Sequence, residues 1–128
     1  MQKKFMIPNT INSDNLITFT IEGIEDVKGQ NITILDLRDI ENTVCDYFII
    51  CEGTSNTQVN AIVNSVQKKV SKNIKEKPWH IEGSENAEWV LMDYVDVVVH
   101  IFQKHIRQYY DIENLWGDAK ITQIKTSY

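Results

Sequence analysis

Residues 82–102 read EGSENAEWVLMDYVDVVVHIF, and between Pro78 and Gln103 the chain has no lysine or arginine but five carboxylates, Glu82, Glu85, Glu88, Asp93 and Asp96. Strand-favouring residues in period-2 alternation predict a hairpin of 89–93 and 96–102 across a tight turn at Tyr94-Val95. In that register Asp93 opposes Asp96, Leu91 opposes Val98 and Trp89 opposes His100, all on one face. The other face carries Val90, Met92, Val97, Val99 and Ile101, is wholly apolar and belongs on a core. The first face mixes Trp, His and Asp and is expected to be an exposed, working surface. Tight turns want Gly or Asn, which Tyr94-Val95 does not offer, so a looser loop would shift the register. A loop longer by one residue would part Trp89 from His100.

Upstream, 79–82 reads as a further short strand, and before it Val59, Ile62, Val63, Val66, Val70 and Ile74 fall at helical spacing. Ser55 followed by Gln58 predicts a capping box at the start of this helix. Lys68, Lys69, Lys72, Lys75 and Lys77 complement its negative end, and Pro78 stops it. Short apolar runs at 31–37 (NITILDL) and 46–51 (DYFIIC) read as strands buried on both faces, joined by a polar surface connection. Residues 13–29 read as the first helix, capped by Ser13 and stopped by Gly29, with Ile17, Ile21 and Ile24 in step. The β-branched run 17–21 and Gly23 keep a strand as the competing reading. Downstream, Ile106, Arg107, Tyr109 and Tyr110 belong to a short helix. Another helical turn stops at Gly117, and 118–128 reads as a mobile tail.

A chain of 128 residues suffices for one domain with one core. The expected organisation is a flexible N-terminus over 1–12, a domain over 13–117 and the tail over 118–128. Alternating helices and strands indicate an α/β fold, a single mixed β-sheet of about five strands with helices packed on it. No apolar run nears the roughly 20 residues that span a bilayer. The start, MQKKFMIPNT, lacks the apolar segment of a secretory signal, so the expectation is a cytoplasmic protein. Cys45 and Cys51 then stay reduced and read as small buried apolar residues rather than metal ligands. A net charge of −5 disfavours binding through nucleic-acid phosphates and favours a basic protein partner.

Several groups invite chemical readings. Gly53-Thr54-Ser55, at a strand-to-helix junction, can cradle a phosphate; without a P-loop lysine or dinucleotide glycine spacing, a turn with an N-cap explains it better. Asp93, Asp96 and His100 can form an acid–base or metal cluster, but no nucleophile stands beside them and a binding surface is the stronger reading. Trp89 fits either a core or an interface anchor, and its place on the polar face tips it to the interface; Trp116 is expected to dock on the domain. Arg107 and Tyr110 are candidate partner contacts, with a structural role as the alternative.

In order and spacing, Asp46-Tyr47-Phe48, Gly53-Thr54-Ser55, Glu82-Gly83, Trp89, Asp93, Asp96-Val97-Val98-Val99-His100-Ile101-Phe102, Arg107, Tyr110 and Leu115-Trp116 resemble the ribosomal silencing factor, or Iojap-like, family. The resemblance implies a nucleotidyltransferase-like fold without enzymatic activity, cofactor or metal. It further implies binding to ribosomal protein fourteen of the large subunit, on the face that meets the small subunit. Such binding blocks subunit joining and represses translation under starvation; organellar relatives act in large-subunit assembly. Glu82, Trp89, Asp93, Asp96, His100, Arg107 and Tyr110 are then the partner-binding set, with little direct contact to nucleic acid. The alternatives are a nucleotide-binding or nucleotidyltransferase-type enzyme, against which no D-x-D carboxylate pair follows Gly53-Thr54-Ser55, and a large-subunit assembly factor. Off the ribosome, an exposed sheet edge can pair with a second copy of the chain as a homodimer. Two positions depart from the family pattern: Thr57-Gln58 stands where many members have a basic residue and a histidine, and Val95 where glycine is usual.

Overall fold

The computed structural model describes residues 13–128; the stretch 1–12, expected to be flexible, lies outside the described residues. In chain order the elements are α1 (Ser13–Asp26), β1 (Gln30–Asp36), β2 (Tyr47–Gly53), α2 (Asn56–Ile74), β3 (His80–Glu82), β4 (Trp89–Asp93), β5 (Val97–Gln103), α3 (Lys104–Tyr110), α4 (Ile112–Leu115) and β6 (Lys120–Gln123).

Leu16, Thr20, Gly23 and Ile24 recur on one face of α1 and bury there, which decides the helix over the competing strand. Gly23 marks the crossing with α2. A Cβ there would come within 2.9 Å of the Val66 Cα, and the Ser65 hydroxyl donates to Gly23 O at 2.7 Å. The residue that weakens the helix by propensity is therefore the one that lets two helix backbones touch. The helix ends earlier than expected, with Lys28 rather than Gly29 in the left-handed conformation (φ 62).

At the start of α2, Ser55 Oγ accepts from Gln58 N–H at 3.1 Å, as the sequence indicates. The reciprocal arm differs from a capping box. Gln58 Oε1 reaches past Ser55 to accept from Thr54 N–H at 2.7 Å, while Gln58 Nε2 donates to Lys28 O at 3.2 Å and ties this turn to the end of α1. Lys75 closes α2 in the left-handed conformation, ahead of Pro78.

One mixed sheet runs β3-β4-β5-β2-β1-β6. Among the described strands only β2 and β5 pair in parallel, a pairing that needs a crossover, and α2 carries the chain over the sheet between them. Among the described residues the strands number six rather than about five, because 118–128 is not a loose tail. There β6 pairs with β1, Ile124 N–H donates to Ile32 O at 2.9 Å, and the Tyr128 hydroxyl donates to Gly29 O at 2.5 Å.

Each sheet face has its own core. Val90, Met92, Val97, Val99 and Ile101 are fully buried beneath α1 and α2 with Ile62, Val66 and Val70, as the hairpin pattern predicts. On the opposite face Leu35, Phe48, Ile50, Val98 and Phe102 form a second cluster, covered by Ile106, Ile112 and Trp116. Trp116 meets Phe48 edge-on at 5.7 Å, the docking expected of it. This second core narrows the expected exposed working face: α3 and α4 cover one half, and the half over β3 and β4 stays open. Cys45 and Cys51 are buried free thiols, and burial pushes the Cys51 thiol up to about 12.

Candidate partner-binding surface

The register of β4 against β5 sets the site. Asp93 pairs with Val98, Leu91 with His100 and Trp89 with Phe102, two residues along from the tight-turn register. Residues 94–97 lie between the last paired positions; Tyr94 N–H donates to Val97 O at 2.9 Å, and Val95 sits in the left-handed region (φ 78). Side chains alternate with period 2, so a shift of two leaves both faces as predicted. Trp89 and His100 stay on one face but meet diagonally, with Trp89 Nε1–H donating to His100 Nδ1 at 3.1 Å.

Asp93 and Asp96, expected to oppose each other, do not. Asp93 Oδ1 accepts from Val95 N–H at 2.8 Å, and Oδ2 stands 3.8 Å from His80 Nδ1. Asp96 is exposed in the turn, its carbonyl accepting from Asp46 N–H and Tyr47 N–H at 2.9 and 3.1 Å. The two carboxylates therefore do not face each other as a like-charge pair across the strands. Glu82 is exposed at the end of β3 and pairs with His80 Nε2 at 2.8 Å. Gly83 follows at φ 90, where a Cβ would lie 2.1 Å from Trp89 O, so the loop can fold back on β4 only with glycine there.

Trp89 is half-buried in an aromatic seat. It stacks on Phe102 with ring centroids 4.8 Å apart and meets the exposed Tyr110 at 4.9 Å. His100 lies beneath, 5% exposed, with Phe48 edge-on at 4.5 Å, and burial lowers its pKa to about 4. It is neutral at pH 7. Its Nδ1 accepts from Trp89, which assigns the proton to Nε2, a buried atom with no hydrogen-bond partner among the described residues. His100 thus supports Trp89 from within and is not a surface contact.

Arg107 needs the same correction. It is 8% exposed and donates to Glu52 Oε1 (3.1 Å), Glu113 Oε2 (2.7 Å), Thr33 Oγ1 (3.1 Å) and the Asn31 carbonyl (2.6 Å). These bonds clamp α3 and α4 onto β1 and β2. Glu52 stands in an apolar strand, and such a buried carboxylate needs a cationic partner, which was the one sequence signal for this clamp. Of the seven residues singled out, Glu82, Trp89, Asp93, Asp96 and Tyr110 reach the surface.

Three side chains missed by sequence reasoning adjoin them. Val44, Trp79 and Val95 are 88%, 77% and 59% exposed, and with Asp93 and Val98 they line a cavity of about 390 Å³. The backbone N–H of Trp79 donates to Asp93 O at 2.6 Å, which holds the main chain of residue 79 beside the end of β4. Pro78 was the available signal, since it cuts the chain between α2 and β3 and leaves Trp79 outside both.

The structure does not bring Asp93, Asp96 and His100 together as a cluster. His100 bonds to Trp89 and not to a carboxylate, and no group of three or more His, Cys, Asp or Glu among the described residues could hold a metal. At Gly53-Thr54-Ser55 the amides of Thr54 and Gln58 are taken by the side chains of Gln58 and Ser55. No helix among the described residues is long and apolar enough to cross a membrane.

The sequence model of the family described as "ribosomal silencing factor during starvation" matches residues 10–127. A Bacillus subtilis protein named ribosomal silencing factor RsfS is 38% identical over 115 residues, which cover 89% of this chain and 95% of that protein. The mouse protein named mitochondrial assembly of ribosomal large subunit protein 1 is 34% identical over 86 residues, covering 62% of this chain and 37% of that one. A crystal structure of a Chromobacterium violaceum protein superposes with a TM-score of 0.78 at 37% identity, covering 91% of this chain and 97% of that one. These relatives are named for silencing and assembly, not for a reaction.

Proposed function

The chain belongs to the ribosomal silencing factor family, and from that premise we propose that it binds the large ribosomal subunit and represses translation by keeping the small subunit away. In this reading the partner is a basic protein of the large subunit, ribosomal protein fourteen, on the face that meets the small subunit. The action is steric, takes place in the cytoplasm and uses neither cofactor nor catalysis.

The observation that carries this reading is the open half of the second sheet face. It presents Trp89 and Tyr110 beside Glu82 and Asp93, within or next to a stretch that contains no lysine or arginine. Charge of one sign steers a basic partner and rejects an acidic one. Trp89, already held by Phe102, Tyr110 and His100, loses little rotamer freedom on docking, which suits it as an anchor. Asp96 adds a further charge at the hairpin tip.

Co-sedimentation with purified large subunits tests it. Wild-type protein travels with the subunits, whereas Trp89→Ala and Asp96→Lys each lose about tenfold in affinity or more; equal binding by all three ends this reading. A role in large-subunit assembly is the second reading, supported by the name of the mouse relative. It uses the same surface, and preferential binding to immature large-subunit particles would select it.

A further inference from the structure

We propose that the cleft between Trp79, Val44, Val95 and Val98 seats one long cationic side chain, lysine or arginine, of the basic protein partner, with Asp93 receiving its charged head. The inference rests on the ribosomal reading above and adds to it a second anchor, apart from Trp89. A large aromatic and two valines left in water around one cavity are costly to a monomer unless something covers them.

The lining selects the occupant. Val44, Val95 and Val98 offer apolar walls for an aliphatic stem, and the Trp79 ring offers a π face for a cation. Asp93 is the one charged residue of the lining. Its Oδ1 is spent on Val95 N–H, but Oδ2 has only His80 Nδ1 at 3.8 Å, too long for a hydrogen bond, and so remains free to accept one. A neutral apolar plug would strip water from that carboxylate without replacing it. A second copy of this chain meeting the same surface would bring carboxylate against carboxylate, because residues 79–102 contain no lysine or arginine.

The geometry places both anchors on one line. Asp93 lies four residues along β4 from Trp89, about 13 Å at the usual rise of a strand. Both point to the second face, with half-buried Leu91 between them. One extended segment of a partner can reach both. Asp46 and Asp96, joined through a backbone hydrogen bond at the same end of the sheet, strengthen the negative field around the cleft.

The test measures affinity for purified large ribosomal subunits across a salt series, with Trp79→Ala, Val44→Ser, Asp93→Asn and Trp89→Ala compared with wild type. Trp79 and Val44 are exposed, and Asn at 93 can still accept from Val95 N–H, so the fold is preserved; thermal denaturation verifies this. Expected is a loss of about tenfold for Trp79→Ala and a smaller loss for Val44→Ser. Asp93→Asn weakens binding several-fold and makes it less sensitive to salt. Loss by Trp89→Ala alone, with the cleft variants binding like wild type, overturns the cleft and leaves the silencing reading standing. Wild-type binding by all four removes both. A loss with Trp79→Ala but no change in affinity or salt dependence with Asp93→Asn overturns the cationic occupant. An effect of Trp79→Ala on self-association in place of subunit binding makes the occupant a second copy and overturns the proposal as well.

Discussion

His100 holds Trp89 in place, and its own environment makes that support sensitive to pH. Burial lowers its pKa from 6.5 to about 4, so the folded protein keeps it neutral where the unfolded chain would charge it. The sign follows from linkage: the stabilisation is complete above 6.5 and is lost as pH falls from there towards about 4. Wild-type stability is therefore expected to drop by up to about 3 kcal/mol across that window. In His100→Gln, which can still accept from Trp89, most of this slope disappears. Urea unfolding at a series of pH values measures it, and an unchanged slope in the variant would show that other groups set the acid response. Arg107 makes the complementary point. A charged residue on a short helix reads as a surface contact from sequence alone, yet Glu52 and Glu113 draw it inside.

At the level of elements, the hairpin shows what was legible and what was not. The division into two faces came through because Val90, Met92, Val97, Val99 and Ile101 alternate without exception, and period-2 alternation survives any register shift by an even number. The register itself did not, because it is set by the turn, and Tyr94-Val95 matches no tight-turn pattern. Val95 is the one β-branched residue among the non-glycine residues at positive φ in the described chain, a conformation that crowds its Cβ. Val95→Gly should accordingly raise stability by about 1 kcal/mol, the relief of strain exceeding the entropy that glycine adds to the unfolded chain. Chemical denaturation measures the change, and a destabilised variant would mean that Val95 contributes more by packing than it loses in strain. β6 was illegible for another reason. Its four residues are all exposed, so they carry no burial pattern, and only pairing with β1 makes them a strand. Likewise, nothing in the alternation of Trp89, Leu91 and His100 showed that α3 and α4 would cover half of their face.

Over the whole molecule, the two sheet faces divide the work. One is closed by α1 and α2 and supplies the larger core; the other is closed by α3 and α4 on one side only, which leaves an acidic, aromatic strip over β3 and β4. The family was legible before the fold because its signature is a set of motifs in fixed order from Asp46 to Trp116, densest in the hairpin, whereas the outline of the surface had to wait for the packing of the C-terminal elements. An acidic strip bearing aromatic side chains is the surface that the proposed occlusion would use. The most direct measurement is the fraction of large and small subunits that join, followed by gradient sedimentation as the protein is added in increasing amounts. Wild-type protein should lower that fraction in a dose-dependent way while sedimenting with the free large subunits, and Trp89→Ala should do neither. If wild-type protein rides on the large subunit and joined particles form undiminished, occlusion is contradicted.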